Sequence, residues 1–182
     1  MLKKILIAIG MLIVLFVVAV AAAVIVAPTH CAVEREVVIN KPRAEVFEYV
    51  KHVKNQSDWG PWFKKEPTMK QEFRGTDGEI GFVSYWKGDL DDTGEGEQEI
   101  KRVVPNERLD TELRFKTPFE SKADAYLITE DAGENKTRVR WGFNTEFPRP
   151  MNVFLVVADV DAMLGKDYEE GLSSLKTILE SR

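Results

Sequence analysis

The chain has 182 residues, with 44% hydrophobic and 30% charged positions and a net charge of −5, a balance that excludes a disordered chain and a wholly membrane-embedded one. Lys3 and Lys4 precede the first acid, so the rest of the chain carries −7, a poor match for nucleic acid or anionic headgroups. The single cysteine, Cys31, excludes an intramolecular disulfide.

Residues 5–27 form an unbroken run of 23 uncharged, almost wholly apolar residues behind Lys3 and Lys4. As a helix rising about 1.5 Å per residue this run spans roughly 34 Å, enough for a hydrocarbon core of about 30 Å. A cleavable signal peptide is the competing reading, with Ala21, Ala22 and Ala23 as small residues at a cleavage site. Signal cores run only about 7–15 residues, however, whereas this one continues through Val24, Ile25 and Val26. The expectation is a signal anchor over residues 1–28, a linker over 29–32 and one domain over 33–182. Under the positive-inside rule the two lysines stay in the cytoplasm and the domain lies on the other side. The domain is therefore expected in the periplasm or at the cell surface.

Residues 33–39 alternate as a first strand. Asn40-Lys41-Pro42 breaks it, and Val46, Phe47, Val50 and Val53 follow at helical spacing, predicting a helix over 42–53. Residues 55–63 read as a short turn or helix followed by irregular aromatic chain. From Met69 onward strands alternate with turn chemistry: 70–74, 81–87, 95–104, 109–117, 121–129 and 137–147, an antiparallel meander. In the last of these Val139, Trp141, Phe143 and Phe147 share one face, with Arg138, Arg140, Asn144 and Glu146 on the other. A long helix over 151–180 closes the chain, its stripe running Val157, Val160, Leu164, Tyr168, Leu172, Leu175 and Leu179. Gly165 and Gly171 interrupt its helix propensity and mark a bend or a close approach to the sheet. The order predicts an α+β fold, a curved antiparallel sheet wrapped around one long C-terminal helix.

Several fragments in this order carry a family resemblance. They are Val38-Ile39-Asn40-Lys41-Pro42 running into Val46-Phe47, then Trp59-Gly60-Pro61-Trp62, Tyr85-Trp86-Lys87-Gly88 and Gly94-Glu95-Gly96. The last is the stretch from Leu164-Gly165-Lys166 through Tyr168 to Gly171-Leu172. Together they resemble the SRPBCC superfamily of START-related domains, in its bacterial polyketide cyclase-like branch, over about residues 33–181. The resemblance implies a helix-grip fold with an apolar cavity between the sheet and the C-terminal helix. It implies a lipid or other hydrophobic small molecule as ligand, and in some members a cyclisation or dehydration. It carries over no catalytic residue.

The residues themselves offer little catalytic equipment. His30 and His52, the two histidines, have no partner at metal spacing, and no phosphate loop, dinucleotide fingerprint or nucleophile elbow occurs. Neither a metal nor an organic cofactor is expected. Asp89, Asp91 and Asp92 before Gly94 resemble a calcium loop only faintly, because the bidentate Glu is not at its place. Large rings are plentiful: Trp59, Trp62, Tyr85, Phe115, Trp141 and Phe143 are expected to wall a cavity or fill the core. Leu164 and Tyr168 join them from the final helix. Asp161 reads either as an ion-pair partner of a strand arginine or as a polar group at a cavity mouth. Tyr126, beside Asp124, has unresolved parity, and with Asp161 it is the acid–base candidate if the domain is a cyclase-type enzyme. A third reading is an envelope interaction or sensor module.

Overall fold

The computed structural model describes residues 2–90 and 93–182; Asp91 and Asp92 of the faint calcium turn lie outside them. The chain divides into two compact units, residues 1–31 with 146–160 and residues 32–145 with 161–182.

The first unit is built on α1 (Leu2–Val26), whose apolar side chains are exposed from Ile5 to Ala22. Like every helix it ends in carbonyls without intrahelical donors. Here the returning segment supplies the donors. Arg149 donates from Nε to the Val24 carbonyl (3.1 Å) and from Nη2 to that of Ile25 (3.2 Å), while the Asn152 amide donates to Val24 (2.9 Å) and Ala27 (3.0 Å). Asn152 is fully buried in doing so. The Phe147 N–H donates to the Thr29 carbonyl at 2.7 Å, and the Phe147 ring stacks on Phe154.

These contacts explain a departure from expectation. The helix foreseen over 151–180 is two helices. A 3₁₀ turn at Met151–Val153 leads into α5 (Phe154–Val157), Ala158 is extended, and α6 runs Val160–Glu180. Unbroken apolar spacing hides the break. Asn152 and Arg149 are engaged with α1, and Asp159, a residue type helix N-termini favour, stands immediately before α6. Val157, placed in the buried stripe by spacing, is 79% exposed.

The second unit carries most of a seven-stranded antiparallel sheet in the order β1-β7-β6-β5-β4-β3-β2. The strands are β1 (His30–Ile39), β2 (Lys70–Arg74), β3 (Val83–Lys87), β4 (Glu95–Val104), β5 (Arg108–Thr117), β6 (Ser121–Asp131) and β7 (Thr137–Glu146). β1 begins at His30, so three residues of the expected linker are already strand. Register shifts at Glu95/Gly96 and Ile100/Arg102 interrupt the β4–β5 ladder, the kind of irregularity that bends a sheet. Between β1 and β2 stand α2 (Arg43–Val50), a 3₁₀ turn at Val53–Asn55, α3 (Gln56–Trp59) and α4 (Pro61–Lys65). The aromatic stretch read as irregular is therefore helical.

The inner face of the sheet presents Ile39, Leu109, Leu127 and Val139 to Leu172, Leu175 and Leu179 of α6 and to Val46, Phe47 and Val50 of α2, all buried in one core. Each such side chain stabilises the fold by about 1.5–3 kcal/mol. α6 passes unbroken through both glycines. A Cβ on Gly171 would come within 2.8 Å of the Trp141 ring, and one on Gly165 would meet the Arg35 guanidinium. Both mark close approach, not a bend.

Candidate functional site

Between the sheet's inner face, the α3–α4 segment and the first half of α6 lies a partly open cavity of about 210 Å³. Its sheet wall is Trp86 of β3, Gln98 of β4, Leu113 and Phe115 of β5, Ala125 of β6, and Trp141 and Phe143 of β7. Trp62 and Phe63 of α4 and Leu164 and Tyr168 of α6 close the other sides, with Gln56, Met69 and Thr93 at intervals.

Ring packing holds this wall in place. Trp141 stacks on Tyr168 at 3.9 Å between centroids and 8° between planes, and takes Trp59 and Trp62 edge-on at 4.8 and 5.9 Å. Such pairs contribute about 0.5–1.5 kcal/mol each beyond burial. At the other end Trp86 meets Phe115 edge-on and donates its indole N–H to the Thr93 carbonyl at 2.9 Å. Trp86 has room because Gly96 lies opposite it; a Cβ there would sit 2.6 Å from the indole.

The polar groups are few and mostly braced. Buried Glu66 accepts from the Asp89 N–H (2.7 Å), from the Leu90 N–H and from the Thr93 hydroxyl, which joins Asp89, Leu90 and Thr93 through one carboxylate. The Asp89 N–H, then Thr93, hold the Glu66 carboxyl below the usual carboxylate range. The Gln98 amide donates to the Thr111 hydroxyl at 3.1 Å, which orients it on the cavity floor. Burial drives the Tyr168 hydroxyl well above its ordinary pKa, so at neutral pH it can donate a hydrogen bond but not act as a base. Among the described lining residues none carries a carboxylate, imidazole, amine or thiol. Among the described residues, no three His, Cys, Asp or Glu are grouped to hold a metal.

Of the residues singled out from sequence, Trp62, Phe115, Trp141, Phe143, Leu164 and Tyr168 meet around this space. Trp59 stands behind them, fully buried against Trp141. Tyr85 faces the opposite side of the sheet, under the Lys116 ammonium and beside its register partner Glu97. Side chains alternate along a strand, so with Trp86 inward Tyr85 must point out. Tyr126 also lies on the outer face, across Gly142, donating to Glu34 at 2.6 Å under the Arg108 guanidinium. Burial and then Glu34 push its pKa up to about 12. Asp161 is an exposed ion-pair partner of Arg35 (2.9 Å), a guanidinium shared with Glu169, and Arg35 holds its pKa down. The strand-arginine reading of Asp161 is thus the one the geometry matches. Neither acid–base candidate faces the cavity.

Sequence reasoning passed over Gln98, Leu113 and Ala125. A signal for Gln98 was present in β4, where Glu95, Glu97 and Glu99 occupy one parity and Gly96, Gln98 and Ile100 the other. Three glutamates fix the wet face, so Gln98 belongs with the dry one.

Comparison with known proteins agrees with this geometry. The family described as polyketide cyclase/dehydrase and lipid transport matches residues 30–180. No curated protein sequence matches the chain significantly. Among solved structures, an uncharacterised protein from Rhizobium leguminosarum is 18% identical with a TM-score of 0.58, over 84% of this chain and 96% of that one. Ara h 8.0201 is 15% identical with a TM-score of 0.55, over 84% and 99%. DynU16, from the dynemicin biosynthetic locus, is 17% identical with a TM-score of 0.56, over 82% of this chain and 47% of that one. At such identities the likeness shows a shared helix-grip fold.

Proposed function

The chain belongs to the polyketide cyclase/dehydrase and lipid-transport family, and from that membership we propose that it binds a lipid or another hydrophobic small molecule in the cavity of its helix-grip domain, tethered to a membrane by α1. The observation that carries this reading is the aromatic-walled space of about 210 Å³. At about 30 Å³ per water such a volume would hold roughly seven waters, and each water needs two to four polar partners. Apart from indole N–H groups, the polar side chains on this wall are Gln56, Thr93, Gln98 and Tyr168. They cannot satisfy that many waters, so displacing them with an apolar guest is favourable. The Gln98 amide and the Tyr168 hydroxyl suit one polar group on an otherwise greasy molecule.

The tether gives the pocket its supply. Lys3 and Lys4 favour an orientation that keeps the N-terminus cytoplasmic and the domain beyond the membrane. α1 ends at Val26 and β1 begins at His30, so the connecting chain reaches only about 10–14 Å. A pocket on so short a leash meets membrane-dissolved molecules at high effective concentration.

Titrating the full-length protein in detergent with an environment-sensitive apolar probe tests the reading. Trp62, Trp86 and Trp141 wall the cavity, so tryptophan emission should transfer to the bound probe at saturable, one-to-one stoichiometry. Probe fluorescence that rises linearly without saturation contradicts it.

A further inference from the structure

We propose that residues 151–157 form a second membrane contact, a short apolar wedge lying in the same leaflet interface at which α1 ends. The proposal rests on α1 being a membrane anchor and adds a surface to it.

Three observations within the first unit carry it. From Met151 through Ala158 the only polar side chain is Asn152, and that one is fully buried. What remains outward is apolar: Met151, Phe154, Val156 and Val157 are 53%, 47%, 60% and 79% exposed. Four such side chains together in water are unusual unless something covers them. The segment is also fixed at a defined depth. Asn152 and Arg149 bond the carbonyls of Val24, Ile25 and Ala27, the last of the apolar run. Ala27 is buried there and Ala23 and Val24 are half-buried, whereas α1 is exposed from Lys3 to Ala22.

The occupant follows from that depth. A helix end that has just crossed the hydrocarbon core stands at the headgroup boundary, and whatever is hydrogen-bonded to it stands there too. The backbone of residues 151–157 is turned into a 3₁₀ turn and α5, which satisfies much of its polar character internally, as an apolar setting requires. Arg149 sits where a cation favours both the C-terminal end of a helix and nearby lipid phosphates. Short apolar elements of this kind bind the interface through the area they bury.

The test uses the full-length protein with Cys31→Ala and single cysteines introduced at Leu15, Glu134, Val156 or Val157. Each is labelled with the fluorophore NBD and reconstituted into phosphatidylcholine vesicles with or without doxyl-labelled lipid. Val156 and Val157 are exposed, so the label needs no repacking, and Glu134, exposed in the turn between β6 and β7 at the opposite strand ends from His30 and Glu146, is the aqueous control. Labels at Val156 and Val157 should shift to the blue and lose most of their emission to doxyl groups near the headgroups, while Glu134 loses little. Water-like emission at both positions with strong quenching at Leu15 overturns the wedge and leaves the anchor standing. Absence of quenching at Leu15 overturns both. A blue shift that ignores doxyl lipid but follows protein density assigns the surface to a second copy of the chain and also overturns the wedge.

Discussion

Replacing Ala125 with Leu separates an open cavity from a filled core by the sign of its effect. Ala125 is buried in β6 and faces the cavity. Leu adds three carbons, which extend into empty space if the space is real. Filling a void of this kind typically stabilises by about 0.5–2 kcal/mol, whereas forcing the same carbons into a packed interior destabilises by about 1–3 kcal/mol. The guest responds oppositely. Three of its own carbons lose their place, at about 0.8 kcal/mol each, which weakens binding by about 2.4 kcal/mol, or roughly fiftyfold. Thermal unfolding and titration with the apolar probe, on the same preparation in detergent, read both quantities. A variant that is more stable and binds far more weakly is the expected result. A variant that is less stable with unchanged affinity refutes the reasoning, because it places the probe elsewhere and the side chain in a full core.

Trp141→Ala should lower stability by about 3–5 kcal/mol, since it removes the stack on Tyr168 and two edge contacts; for a domain of this size the melting temperature should fall by roughly 6–20 °C. Gly171→Ala should destabilise in a denaturant titration despite gaining about 1 kcal/mol of helix propensity, because its Cβ meets the Trp141 ring at 2.8 Å; a net gain would mean that α6 packs more loosely than described. The Glu66 carboxyl titrates lower in the folded chain than in the unfolded one, chiefly through the Asp89 N–H. Its contribution is therefore complete above the ordinary Glu value of about 4.3 and is lost as pH falls through the folded value. Chemical unfolding followed from neutral pH to about pH 3 should show this loss, and Glu66→Gln should be weaker at neutral pH with a flatter acid limb.

Much of the fold was legible because its punctuation is local. The Pro105-Asn106 turn and the Asp131-Ala132-Gly133 turn stand at observed strand ends, and the periods of β7 and of the second half of α6 are unmistakable in the chain. What stayed hidden depends on contacts between distant residues. Nothing near Ala158 announces that Asn152 will bond the end of α1, so two helices read as one. Tyr85 and Trp86 are adjacent rings of similar apolarity, and only the pairing of Trp86 with Gly96 decides which one enters the cavity. Tyr126 was ambiguous for the same reason until Gly142 made room for its ring on the outer face. The large rings of the site were visible as candidates, and the parity of the β4 glutamates marked Gln98; Ala125 was not visible, because a methyl carries no chemical signature until the sheet brings it to one wall.

Native mass spectrometry of the full-length protein, released from lipid in detergent, tests the central claim most directly. The account predicts that the wild-type chain carries a small apolar molecule as a discrete added mass, and that Ala125→Leu loses it. Wild type and variant both appearing at the bare mass of the chain would contradict the account.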